Sequence, residues 1–164
     1  MSQTTTTPLG RGADAGTTQR IQLAVLAEPE QVWHALTDGA TTPAYYYGFA
    51  ADYGDLSEGG GYRYTAGGGD VITGRVLRAE PSRRLQVTFN GTWSPDVAVL
   101  PESRVTFTLA APSMPMPGVT VLTCEHEGLP DTPAAAQLEH GWVTILSGLK
   151  TLLETGRPMV AAPA

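Results

Sequence analysis

The side chains best suited to chemistry in this chain are three histidines, one cysteine and a run of three tyrosines. His126 shares a strand face with Cys124, and His140 follows across a connecting loop, so the two histidines can approach each other. An imidazole titrates near pH 6.5, which makes His126 or His140 a candidate general acid–base; a surface or half-buried histidine is the plainer reading. His34 stands apart from both. A metal would need three or four ligands at fixed spacing. No HxxxH or similar pattern occurs, and a lone cysteine permits neither a cysteine cluster nor an intrachain disulfide. No metal and no cofactor is therefore expected. Glu125 and Glu127 alternate with His126 and point away from it, toward solvent or arginines such as Arg104. Ser147 sits in Leu-Ser-Gly rather than in a GxSxG elbow, and Cys124 reads as a small buried hydrophobe. The runs Gly59–Gly61 and Gly67–Gly69 lack a phosphate-loop context and read as hairpin glycines.

The tyrosines point to binding instead. Three adjacent residues, Tyr45, Tyr46 and Tyr47, cannot all face one core from a helix, so some of them reach a cavity mouth. With Tyr64, Trp93, Phe107, His126, Trp142, Ile145 and Leu149 they form the candidate ligand-binding set. Aromatic walls take up apolar guests, and phenol or indole groups orient them. For Trp33 and Phe107 ordinary core packing is the better reading.

These residues must be positioned by strands and one long helix. Arg20–Ala27 alternates Ile21, Leu23 and Val25, a first strand. Pro29 suits the first turn of a short amphipathic helix over 28–37, and a second short helix or turn follows over 41–47. Period-two patterns then recur over 52–56 (weakly), 62–66, 70–79, 84–92, 103–110 and 119–127. Finally Leu138, Trp142, Ile145, Leu149 and Leu152 recur at steps of four and three, predicting a helix over 137–155 that Gly156 caps and Pro158 stops. Gly141 and Gly148 lie seven apart on nearly one face. Each costs about 1 kcal/mol against alanine, which close approach of a strand or ligand would offset.

Composition narrows the class. A hydrophobic fraction of 41% supports a folded core, and 164 residues suit one domain, over 19–159, between a flexible tail at 1–18 and a short end at 160–164. A net charge of −6, with Lys150 the only lysine and the arginines scattered, argues against nucleic acid as a partner. No signal-peptide pattern and no membrane-length apolar run is seen, so the expectation is a cytoplasmic protein without a membrane partner. Self-association as a homodimer suits an acidic domain of this size, though no dimer face is specified.

The order of elements, with Glu28-Pro-Glu-Gln-Val-Trp33, Thr73-Gly-Arg-Val-Leu77, Ser103-Arg-Val-Thr-Phe107 and above all Gly141-Trp142 through Ile145-Leu-Ser-Gly-Leu-Lys-Thr-Leu-Leu-Glu-Thr-Gly156, resembles the START/SRPBCC superfamily. Within it the chain is similar to the family named after homologues of the heat-shock-protein-90 ATPase activator. The likeness spans about Arg20 to Met159. It differs at Tyr45-Tyr46-Tyr47, where the family tends to have Tyr-Trp, and at Asp55-Leu-Ser-Glu-Gly59, where it often has Asp-Trp-x-Pro-Gly. The resemblance implies an α+β helix-grip fold: a curved antiparallel sheet of about six or seven strands around the long C-terminal helix, with two short helices after the first strand. It implies a small apolar or aromatic ligand between sheet and helix. Two alternatives stay open, a cyclase, dehydratase or lyase acting on a hydrophobic, polyketide-like substrate, and a co-chaperone or stress-response interaction module.

Overall fold

A computed structural model describes residues 16–161. Most of the expected N-terminal tail lies outside the described residues. Seven strands, β1 (Thr17–Leu26), β2 (Ala50–Asp52), β3 (Gly61–Ala66), β4 (Gly69–Glu80), β5 (Arg84–Gly91), β6 (Ser103–Ala110) and β7 (Val119–Leu129), form one antiparallel sheet in the order β1-β7-β6-β5-β4-β3-β2. Helix α1 (Pro29–Thr37) and a 3-10 turn (Thr42–Ala44) follow β1, helix α2 (Pro95–Ala98) links β5 to β6, and α3 (Pro133–Thr155) closes the chain. The helix-grip architecture expected from the sequence is what the chain adopts.

Alternation decides which way each strand faces. On β6 the buried set includes Ser103, Val105, Phe107 and Leu109, and on β7 it includes Leu122, Cys124 and His126. Register places Val105 opposite His126 and Phe107 opposite Cys124, so these side chains share the concave face. Helix α3 lays Leu138, Trp142, Ile145, Leu146 and Leu149 into that face. Register shifts in the β3–β4 and β4–β5 pairings supply local bends, which help the sheet curve round the helix.

Local signals account for the boundaries. Helix α3 starts four residues earlier than its apolar stripe predicts, because Thr132 caps it through the Ala135 N–H and Pro133 occupies the first turn. Gly156 ends it with φ +72°. Between β3 and β4, Ala66 pairs with Gly69 while Gly67 and Gly68 take φ +60° and +82°, a two-residue hairpin that needs positive φ at both positions. One expectation is corrected: residues 53–56 form turns, and the short strand β2 lies just before them at Ala50–Asp52. Helix α2 was not anticipated, since its four residues are too few to show a period. No helix among the described residues is long and apolar enough to cross a membrane.

Candidate functional site

The concave face is not completely filled by α3. A cavity of about 310 Å³ opens beside the N-terminal half of the helix. Helix α3 contributes Gln137, Leu138, Gly141, Trp142 and Ile145 to its wall; the segment after the 3-10 turn contributes Tyr46, Tyr47 and Phe49; and Phe89 of β5, Trp93 of the following link and Val97 of α2 close it.

The tyrosine run is divided by its backbone. Thr42 anchors it by accepting the Ala51 N–H at 2.9 Å. Tyr45 turns into the core and donates to the Ala35 carbonyl, with its Cβ close to Gly148, where a methyl group would come within 3.3 Å. Tyr46 is also buried, its ring tilted by 37° against Tyr64 at 4.7 Å between ring centres and edge-on to Trp142 at 5.9 Å. Tyr47 takes φ +52°, an unfavourable region for a residue with a Cβ, and stays 57% exposed. Its hydroxyl lies 4.0 Å from where a Cβ on Gly141 would be, so the ring spans the mouth toward α3. Trp93 can fold over Gly91 only because the glycine has no Cβ, which would otherwise meet its ring at 2.4 Å.

Behind the cavity wall lies a buried polar chain. The Trp142 indole N–H donates to His126 Nδ1 at 3.0 Å. Indole is a donor only, so Nδ1 carries no proton and the neutral ring holds its proton on Nε2. That proton goes to Ser103 Oγ at 2.7 Å, and the Ser103 hydroxyl in turn donates weakly to the Phe89 carbonyl at 3.4 Å. His126 is fully buried and desolvation lowers its pKa to about 4, so it is neutral at physiological pH. The half-exposed setting expected for His126 is thus corrected. So is its approach to His140, which lies on the exposed face of α3 while the neighbours of His126 are Trp142, Ser103 and Phe89.

Of the ten residues singled out as ligand-binding, Tyr46, Tyr47, Trp93, Trp142 and Ile145 line the cavity. Tyr64 and Phe107 border a much smaller void of about 10 Å³ on its inner side. Tyr45 and Leu149 pack in the core, and His126 stands behind Trp142 rather than in the wall. Phe49, Phe89, Val97, Gln137 and Leu138 complete the wall without having been singled out. Phe89 is legible as the third member of the Leu85, Val87 alternation and Leu138 as the first of the α3 stripe; Phe49 and Val97 depend on how the segments around β5 and the 3-10 turn fold back.

The titratable groups in the wall are two phenols, Tyr46 and Tyr47. Burial, helped by the nearby Tyr53, raises the Tyr46 pKa well above that of a free phenol. Among the described residues, no three His, Cys, Asp or Glu side chains are placed to hold a metal together. Arg104 pairs with Glu127 at 2.8 Å on the outer face of the sheet, as its alternation predicts.

The family model for activator of Hsp90 ATPase homolog 1-like protein matches residues 26–154. Among solved structures, DynU16, a protein of the dynemicin biosynthetic locus, superposes with a TM-score of 0.66 at 28% identity, over 86% of this chain and 48% of its own. This chain therefore spans about half the length of DynU16. Protein CV1439 from Chromobacterium violaceum matches with a TM-score of 0.64 at 28% identity, over 84% of this chain and 96% of its own. The Aha1 dimer from Colwellia psychrerythraea has the same fold, with a TM-score of 0.66 at 18% identity, over 85% and 98% of the two chains. No curated protein matches.

Proposed function

We propose, from the premise that this chain belongs to the activator of Hsp90 ATPase homolog 1-like family, that it binds a small, flat apolar or aromatic molecule between the sheet and α3. The observation that carries this reading is the aromatic cavity of about 310 Å³, framed by Tyr46, Tyr47, Phe49, Phe89, Trp93 and Trp142. A concave, mostly apolar site of this size lies at the small end of ligand pockets, which run from about 300 to 1,000 Å³. Rings stacked against or set edge-on to such walls gain dispersion and quadrupole attraction beyond simple burial. A catalytic role would need a group that exchanges protons with the guest. The wall offers two phenols, Tyr46, whose proton burial holds tightly, and Tyr47 at the exposed mouth, while His126 stands behind Trp142 rather than against the guest. Binding therefore fits the geometry better than turnover does.

The test is calorimetric titration with small bicyclic probes such as 1-tetralone, against the protein and its Gly141→Leu variant. One-to-one binding that the variant loses supports the reading, because a leucine at 141 projects into the cavity. Absence of binding up to the probe's solubility limit, or equal binding by the variant, overturns it.

A further inference from the structure

The Tyr46 ring is buried, but among the described residues its hydroxyl makes no hydrogen bond to the protein; that oxygen is not sealed in the core, and Tyr46 lines both the main cavity and the inner void. A phenol facing an apolar cavity is left without a partner unless water or a guest supplies one. The other buried tyrosines have protein partners: Tyr45 bonds to the Ala35 carbonyl, Tyr62 to the Thr88 carbonyl, and Tyr53 and Tyr64 share one bond of 2.9 Å. Since two phenols bring two protons to a single shared bond, one O–H of the Tyr53–Tyr64 pair also lacks an acceptor among the described residues.

These groups converge. Tyr46, Tyr53, Tyr62 and Tyr64 all border the inner void of about 10 Å³, room for roughly one water-sized group. Tyr46, Phe89 and Trp142 belong to the walls of both this void and the main cavity. The inner end of the site is thus rich in donors and poor in acceptors, since the Thr88 carbonyl is already taken. No arginine or lysine lines either space, so a carboxylate would be buried without a counter-charge. An ammonium would add donors where donors already lack partners. A pure hydrocarbon would leave the phenols unpaired.

We propose that the occupant of the cavity carries a neutral acceptor oxygen, as in an aryl ketone, quinone or cyclic ether, at its buried end, and that the Tyr46 O–H donates to it. This rests on the reading that the cavity takes an apolar guest, and adds the chemical class. Tyr46 is a specificity residue on this account: the rings fill the cavity, and the phenol selects the oxygen.

The experiment compares 1-tetralone with tetralin, which differ by the carbonyl oxygen, on the wild-type protein and on Tyr46→Phe. The variant keeps the ring, and its hydroxyl has no protein partner to lose, so thermal unfolding should show the fold retained. We expect the variant to weaken the ketone by a factor about five to ten greater than any change for the hydrocarbon, the size of one net hydrogen bond. The carbonyl stretch of bound 1-tetralone should sit at lower frequency in the wild type than in the variant. If both guests change by the same factor and the stretch does not move, the acceptor proposal is overturned while the binding reading stands. If neither guest binds the wild type, the binding reading falls and this proposal with it.

Discussion

The indole of Trp142 and the imidazole of His126, joined by a 3.0 Å hydrogen bond, tie the gripping helix to strand β7. One face of Trp142 is cavity wall, and its polar edge is taken by a residue no guest touches. A histidine without a place in the wall thereby sets the angle of an aromatic surface that has one.

Replacing His126 by phenylalanine removes an acceptor for Trp142 and a partner for Ser103, in a region where both are buried. Stranding such groups costs about 1–3 kcal/mol each, so His126→Phe should lose roughly 2–4 kcal/mol in urea denaturation. A loss below about 0.5 kcal/mol would mean the bonds contribute little.

The same pair predicts acid sensitivity. In the unfolded chain His126 takes up a proton near pH 6.5; in the fold it resists until about pH 4. Between those values the unfolded state binds more protons, so stability falls as pH falls, and below about pH 4 this contribution levels off. The full effect is on the order of 3 kcal/mol. It should be seen as the difference between the wild type and His126→Gln followed from pH 7 to pH 4; parallel curves would rule it out.

Gly141 and Gly148 part company. At Gly141 an added Cβ meets nothing closer than the Tyr47 hydroxyl at 4.0 Å. Gly141→Ala should raise stability by about 1 kcal/mol through helix propensity while narrowing the site and weakening 1-tetralone. Calorimetry and thermal melts on the same sample decide whether the two effects run in opposite directions.

At Gly148 the added Cβ would stand 3.3 Å from Tyr45 Cβ, and Tyr45 is fixed at its far end by the Ala35 carbonyl. Gly148→Val should therefore destabilise by about 1–3 kcal/mol, since neither helix nor tyrosine can retreat without breaking that bond. An unchanged melting temperature would contradict this packing.

Cys124 is 1% exposed, and burial raises its thiol pKa far above the usual value. A thiol that is neither ionised nor reachable reacts only when the fold opens. Its labelling by a disulfide reagent at pH 8 should be slow and should accelerate in step with denaturant; prompt stoichiometric labelling would show an opening the fold does not suggest.

Much of this arrangement was legible in the chain. Period-two alternation located β5, β6 and β7 within two residues of their limits, because one face of each is buried and the other is wet. The stripe Leu138–Trp142–Ile145–Leu149 likewise gave the inner face of α3. The start of α3 was missed, since Thr132 and Pro133 signal through caps rather than hydrophobicity. The tyrosine run hinted at a mouth, but which ring faces where depends on the positive φ at Tyr47, which no side-chain pattern encodes. By sequence His126 is a candidate proton carrier. That it is a brace instead follows from its neighbours in space, Ser103 and Trp142, which lie 23 and 16 residues away.

The placement of the tryptophans has an optical consequence. Of the three in the chain, Trp93 and Trp142 flank the cavity, while Trp33 rides on α1 outside its wall. The molecule thus carries two intrinsic fluorophores at the site and one away from it. A guest that displaces solvent there will change the emission of the first two and leave the third as an internal reference, without a label.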